Sequence, residues 1–264
     1  MKNKSIICFD LGTTSSKYII KKDFKIISYN SINQNIENLI EEYLQNQSYD
    51  YILLTGSNAS KYKSDNKIII INELESIANI CKHLEKESGL VISIGTGTAF
   101  VKYNQGGFEH LIGTGIGGGT FTGLGKLLLN TNNPKELEEL AKSGDLNKIN
   151  TTIADISYNT ESWFENEVTV SNFGKPTGNQ TDIAIGLHSL VIEPILSILV
   201  ALTLKEKFEN IIFTGAVSKN SIIRQIINKY AKLFKLDVIF LDNPEFGTCY
   251  GAIAAFEQNY FKCK

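Results

Sequence analysis

Cys8–Ile20 reads CFDLGTTSSKYII and Ile92–Tyr103 reads ISIGTGTAFVKY. Each is an apolar strand, a turn rich in Gly and Thr, and a second apolar strand. Such a repeat decides the fold class: α/β, with one strand–turn–strand unit heading each of two lobes. Two turns of this kind facing one another across a cleft can hold a nucleotide's phosphates from both sides.

Outward from the first unit, KIISYN extends the hairpin. Ile36, Leu39, Ile40, Tyr43 and Leu44 have helical spacing within Ile32–Leu44. YILLTG and KIIII read as short buried strands. A helix is expected from about Asn72 to Lys86, with Glu73 and Glu75 in its first turn. After the second unit comes GTGIGGGTFTGLG, Gly113–Gly125, with seven glycines in thirteen residues, and then a helix carrying Leu124, Leu127 and Leu128. Helical patterns cover Lys135–Lys142 and Ile183–Lys207. Strand, helix, strand and helix follow in NIIFTGAVSKN, SIIRQIINKYAKLF, LDVIFLDN and GAIAAF. The lobe boundary falls near Ser88–Gly89, giving an N-terminal lobe over 1–88 and a C-terminal lobe over 89–264.

Composition narrows the function. The chain has 264 residues, 42% hydrophobic and 20% charged, with a net charge of −2, which argues against nucleic acid as a partner. Cys8, Cys81, Cys249 and Cys263 are scattered and read as reduced thiols, not as a disulfide frame or zinc site. The apolar run at the N-terminus is too short for a signal peptide. The most apolar stretch, Leu187–Leu204, contains His188, Glu193 and Pro194, so no membrane span is expected. The expected location is the cytoplasm.

The first turn offers Asp10, Leu11, Gly12, Thr13, Thr14, Ser15, Ser16 and Lys17: one carboxylate, four hydroxyls and one ammonium in eight residues. Asp10 suits Mg2+ as a hard oxygen ligand, and the rest suits phosphate oxygens. A solvated hairpin turn would look the same in isolation. The second turn offers Gly95, Thr96, Gly97 and Thr98. In the glycine-rich stretch, Gly117, Gly118, Gly119, Thr120, Phe121 and Thr122 present backbone N–H groups at a helix start, where a flexible surface loop is the plain alternative. Gly215 and Ser218 in FTGAVSKN end a strand where a base and ribose can lie.

The order FDLGTTSSK, LTGSNAS, SIGTGTAF, FTGAVSKN, GAIAA resembles the actin-like ATPase superfamily of sugar kinases and Hsp70. LLTGSNA, INELES, IGTGTA, GTGIGGGTFTGLGKLL, AKSGDLN and SNFGK are similar to type II (eukaryotic-like) pantothenate kinases, over nearly the whole chain. The resemblance implies two actin-like (ribonuclease H-like) lobes, each a mixed sheet flanked by helices, with the nucleotide cleft between them. It implies phosphoryl transfer from ATP, with Mg2+, to the 4′-hydroxyl of pantothenate, the first step of coenzyme A synthesis. Glu73 then matches the catalytic base, with Glu75 as its nearby competitor. A homodimer built on the Ile183–Lys207 helix is implied as well.

Two departures fall on the acceptor side. Where the family has an arginine shortly before the glycine-rich stretch, this chain has His110, and Arg224 is its only arginine. Where the family has serine after the second turn, this chain has Ala99. Both are candidate substrate contacts, and they leave open a related acceptor such as a pantothenate analogue or an amino sugar. Sugar kinases of the superfamily use an aspartate where this chain has Ser93, which counts against them. An ATP-binding regulator is the third reading, but dehydratase activators carry cluster-binding cysteines that this pattern lacks. The NPEFGTCYGAIAAF segment is longer than its family counterpart. Phe246 and Tyr250 within it read as core aromatics, or as neighbours of adenine or of a partner subunit. His83 and His188 read as ordinary helix residues.

Overall fold

A computed structural model describes residues 4–22, 25–32, 36–45, 49–62, 67–156, 168–175 and 178–261. Cys263 and residues 33–35 lie outside the described set. β1 (Ser5–Leu11), β2 (Ser16–Lys22) and β3 (Lys25–Ile32) form an antiparallel meander. After α1 (Ile36–Gln45), β4 (Tyr51–Thr55) and β5 (Ile68–Ile70) are laid parallel on the other side of β1. The short helices α2 (Glu73–Ala78) and α3 (Ile80–His83) lead into the second unit, where β6 (Gly89–Ile94), β7 (Thr98–Asn104) and β8 (Gly107–Thr114) repeat the meander.

Next come α4 (Gly118–Leu129), α5 (Pro134–Ala141), β9 (Thr151–Thr152), α6 (Ile153–Ile156), β10 (Thr169–Ser171) and the long α7 (Gln180–Lys205). β11 (Ile211–Thr214), α8 (Ser221–Leu233), β12 (Val238–Phe240) and α9 (Gly247–Phe261) complete the described chain, with β11 and β12 parallel to β6. The two five-stranded sheets therefore share one order, β3-β2-β1-β4-β5 and β8-β7-β6-β11-β12. The echo in the sequence is an echo in topology.

Side-chain alternation along the central strands sets the layers. From β1, Ile7, Phe9 and Leu11 pack outward with Ile40 of α1, whereas Ile6 and Cys8 face inward. From β6, Leu90, Ile92 and Ile94 pack on α7 and α8, whereas Val91 faces inward. Between the sheets lie Ile77 and Ala78 of α2, Ile80 and Cys81 of α3, and Cys249, Ile253 and Phe256 of α9. One core thus draws on both sheets and on both ends of the chain. Phe246 and Tyr250 belong to it, as the core-aromatic reading expects. Cys8, Cys81 and Cys249 are buried free thiols.

Three local expectations change. The helix expected over Asn72–Lys86 is two helices. Asn79 interrupts it, its side-chain amide donating to the Glu75 carbonyl at 2.8 Å, a local bond that competes with helix continuation. Most of the glycine-rich stretch is regular structure, since β8 runs to Thr114 and α4 begins at Gly118. Two of its glycines answer a packing need: a Cβ at Gly118 would stand 2.9 Å from the Gly95 carbonyl oxygen, and one at Gly117 2.8 Å from that of Thr96. Finally, α7 is long and apolar enough to cross a membrane by length and composition, but Leu187, Val191, Ile192, Ile195 and Leu196 are buried within the chain. That internal burial accounts for its apolar character, which therefore gives no support to a dimer helix.

Candidate functional site

β1 and β4 end side by side, with Asp10 paired to Thr55, and both deliver their C-terminal ends to a cavity of about 980 Å³. The two Gly/Thr turns close over it. Thr13 and Thr14 of the first turn lie 3.2 and 2.9 Å, oxygen to oxygen, from the Thr96 hydroxyl of the second. Gly12, Ser15 and Lys17 line the same wall, and Gly95, Gly97 and Thr98 line the wall opposite. Asp10, at 7% exposure, sits at the base of the first turn.

Burial pushes the Asp10 carboxyl up to about 6; Lys17 opposes the shift, Glu73 adds to it, and a Thr248 hydrogen bond opposes it again. Its position is shared with Gly56, whose φ of +91° suits glycine and whose Cβ would stand 2.5 Å from Asp10 Oδ1. No ion pair to Asp10 forms among the described residues, and a buried, uncompensated carboxylate fits a divalent cation.

Glu73 is the first residue of α2. The Asn72 side chain caps that helix by accepting from the Leu74 and Glu75 N–H groups at 2.9 and 3.3 Å. Ser76 donates to the Asn72 carbonyl at 2.9 Å and so accepts from Thr55 at 2.8 Å. The chain of bonds runs from the end of β4, beside Asp10, to the cap that fixes Glu73. Burial pushes Glu73 up as well. Glu73 lines the cavity and Glu75 does not. On the same side lie Ala99 of β7, Ser93 of β6 and His110 of β8.

The glycine-rich stretch contributes Gly118, Gly119, Phe121 and Thr122 to the wall. The Gly118 and Gly119 N–H groups, expected to meet an anion, are already spent on the Gly95 and Thr96 carbonyls at 2.7 and 2.9 Å. This corner of the cavity is a clamp between two backbones, with the phosphate-facing groups left to the turns. Phe121 packs edge-on against His188, ring centroids 4.7 Å apart. Burial lowers the pKa of His188; its Nδ1–H donates to the Ala184 carbonyl at 2.7 Å, leaving Nε2 to accept from the Asn220 amide at 3.1 Å. His188 is thus a tie to the cavity wall. His83 stacks on Tyr250 at 4.5 Å, away from the site.

Five expected contacts stand elsewhere. Leu11 packs in the core above α1, because strand alternation turns it away from Asp10. Ser16 begins β2, and Gly117 and Thr120 face off the cavity. The Ser218 hydroxyl, fully buried, donates back to the Gly215 carbonyl at 2.8 Å, while Gly215 itself lines the cavity. Residues that sequence reasoning missed are Thr248, Glu245, Lys219, Asn220 and Glu138. Glu245 comes from the segment that joins β12 to α9, and Thr248 from the first turn of α9. Asn220 caps α8 through the Ile223 N–H, a helix-start signal readable in SKNS.

Known proteins resemble this arrangement. The family model described as Fumble matches residues 89–255. A type II pantothenate kinase of Bacillus thuringiensis subsp. konkukian is 30% identical over 269 residues, covering 96% of each chain. One of Staphylococcus epidermidis is 26% identical, covering 94% of this chain and 98% of its own. Among solved structures, an activator of 2-hydroxyisocaproyl-CoA dehydratase from Clostridium difficile with bound ADPNP superposes with a TM-score of 0.67 at 19% identity, covering 98% of this chain and 97% of its own. A ROK family protein from Streptococcus pneumoniae in complex with sucrose gives 0.61 at 14% identity, covering 98% and 99%. These two share the actin-like fold. On the family match and the near full-length kinship, this chain belongs to the Fumble family, that of the type II pantothenate kinases.

Proposed function

We propose that this protein is an ATP-dependent kinase that phosphorylates the 4′-hydroxyl of pantothenate, opening coenzyme A synthesis. The observation that carries the reading is a buried carboxylate, Asp10, and a half-buried one, Glu73, in one cavity roofed by two hydroxyl-bearing turns. MgATP supplies the phosphoryl group, and the chain supplies positioning and charge, which dominate such transfers. Asp10 holds Mg2+. Thr13, Thr14, Ser15 and Thr96 offer hydroxyls to phosphate oxygens, and Lys17 offers charge. Glu73, with its carboxyl raised by burial, accepts the acceptor's hydroxyl proton. The adenosine lies along Gly215 and the start of α8. The reaction belongs in the cytoplasm, and a homodimer rests on family resemblance alone.

An activator role is disfavoured because Cys8, Cys81 and Cys249 are buried among apolar side chains of the core, away from any surface where a cluster shared between subunits could sit. A second acceptor is favoured by one observation: His110 and Ala99, both departures from the family pattern, line the cavity with Glu73. Purified protein with MgATP is assayed on pantothenate, with pantetheine and N-acetylglucosamine beside it. Turnover on pantothenate is expected. Turnover on another acceptor alone moves the assignment to that compound, and ATP binding without any transfer removes the enzyme reading.

A further inference from the structure

Glu245 stands in the cavity wall on a 3₁₀ turn, Pro244–Phe246, that closes the loop between β12 and α9. The turn is latched to the end of β11: the Pro244 carbonyl accepts from the Gly215 N–H at 2.9 Å and from the Thr214 hydroxyl at 3.0 Å. Glu245 Oε1 pairs with Lys219 Nζ at 2.5 Å, and the Glu245 side chain is 14% exposed. Its other oxygen, Oε2, is buried with no hydrogen-bond partner among the described residues. A buried acceptor left unmet is destabilising, because it has lost its hydrogen bonds to water without replacement. Only Glu245 Oε2 and Asn79 Oδ1 are in this condition among the described side chains, and of the two residues only Glu245 lines the cavity.

The chemistry narrows the missing partner. A carboxylate accepts hydrogen bonds and repels phosphate, so the occupant brings a neutral donor. Three residues on, Thr248 lines the cavity with Asp10, so Glu245 stands about one helical turn along the chain from a residue beside that carboxylate. Its contacts in the wall are on one strand end: Lys219 pairs with it, and Gly215 bonds the residue before it. The nucleotide group that follows directly on the phosphates and carries neutral donors is the ribose. The purine amino group lies a full sugar and ring system further out.

We infer that Glu245 is a nucleotide-specificity residue whose Oε2 accepts a hydrogen bond from a ribose hydroxyl of the bound nucleoside triphosphate. The inference rests on the kinase reading above. Lys219, itself 64% exposed, keeps the carboxylate in place through this pair.

Equilibrium binding of MgATP, Mg-2′-deoxy-ATP, Mg-3′-deoxy-ATP and MgITP to wild-type protein and to Glu245→Ala and Glu245→Gln tests this without any acceptor. Wild type is expected to bind ATP about tenfold or more tightly than one of the deoxy forms. Glu245→Ala is expected to lose that ratio while binding the deoxy form as wild type does, with unchanged thermal unfolding. Glu245→Gln, which keeps an acceptor oxygen, is expected to fall between them. The inference is overturned if the ribose ratio survives in Glu245→Ala, or if the variant loses only the preference for ATP over ITP, which makes the base amino group the donor. Wild type that discriminates among none of these nucleotides overturns it and leaves the kinase reading standing. Wild type that binds none of them overturns both.

Discussion

Asp10 is ionised at neutral pH against the cost of its own burial. Its folded-state pKa of about 6 lies above the unfolded value of 3.8. The neutral acid therefore favours the fold at low pH, and that contribution is lost as pH rises from about 4 through 6. A shift of this size corresponds to roughly 3 kcal/mol. Asp10→Asn is expected to be more stable than wild type by about 1–3 kcal/mol at pH 8, and to lose the advantage at pH 4; urea unfolding at both values reads it. The same variant is expected to lose phosphoryl transfer. Equal stability at pH 8 would mean that Lys17 and Thr248 fully offset the burial. At the acceptor end, His110→Arg is expected to raise kcat/KM for pantothenate by about tenfold, since a guanidinium offers a fixed charge and a two-pronged donor. A lower rate would show that the pocket is fitted to imidazole. Asp10 was legible from the chemistry of its turn, whereas Glu73 and His110, the latter within β8, were legible only through the family resemblance. Thr248 and Glu245 were not, because they reach the cavity from far down the chain, through a turn latched to the end of β11.

The elements that carry these residues are held by close backbone approach. A Cβ at Gly251 of α9 would overlap the Ser76 carbonyl of α2, a backbone atom that cannot swing aside. Gly251→Ala is therefore expected to cost about 3 kcal/mol or more. Because α2 begins with Glu73, it is also expected to lower kcat in whatever fraction remains folded; calorimetry and steady-state rates check the two effects. A melting temperature within a degree or two of wild type would mean that α9 slides freely on α2. Strand positions and the amphipathic α1 and α8 were readable from periods of two and 3.6. The start of α4, expected within Gly117–Thr122, falls at Gly118, but the contacts that fix it there were not readable. Gly118 and Gly119 are poor helix formers, and their first N–H groups are fixed by carbonyls of a turn more than twenty residues earlier.

Across the whole molecule, the repeat of CFDLGTTSSKYII in ISIGTGTAFVKY foretold two sheets of one topology. It did not foretell that α9, last in sequence, lies between them with α2 and α3. A boundary drawn at Ser88–Gly89 divides the sheets but leaves that shared core undivided. Unfolding is accordingly expected to be a single cooperative transition, raised by MgATP through binding to the native state alone, by about 2.7 kcal/mol at one hundred times its dissociation constant. Two resolved transitions in a calorimetric scan would show lobes that fold apart.

The central claim is that Glu73, placed beside Asp10 by the Thr55–Ser76–Asn72 chain, takes the proton from pantothenate as phosphate is transferred. Single-turnover transfer of labelled γ-phosphate from MgATP to pantothenate, by wild type and by Glu73→Gln at equal nucleotide occupancy, tests it most directly. The account predicts a rate about 10²–10⁴-fold lower in the variant with ATP affinity unchanged. Transfer by Glu73→Gln at the wild-type rate would contradict it.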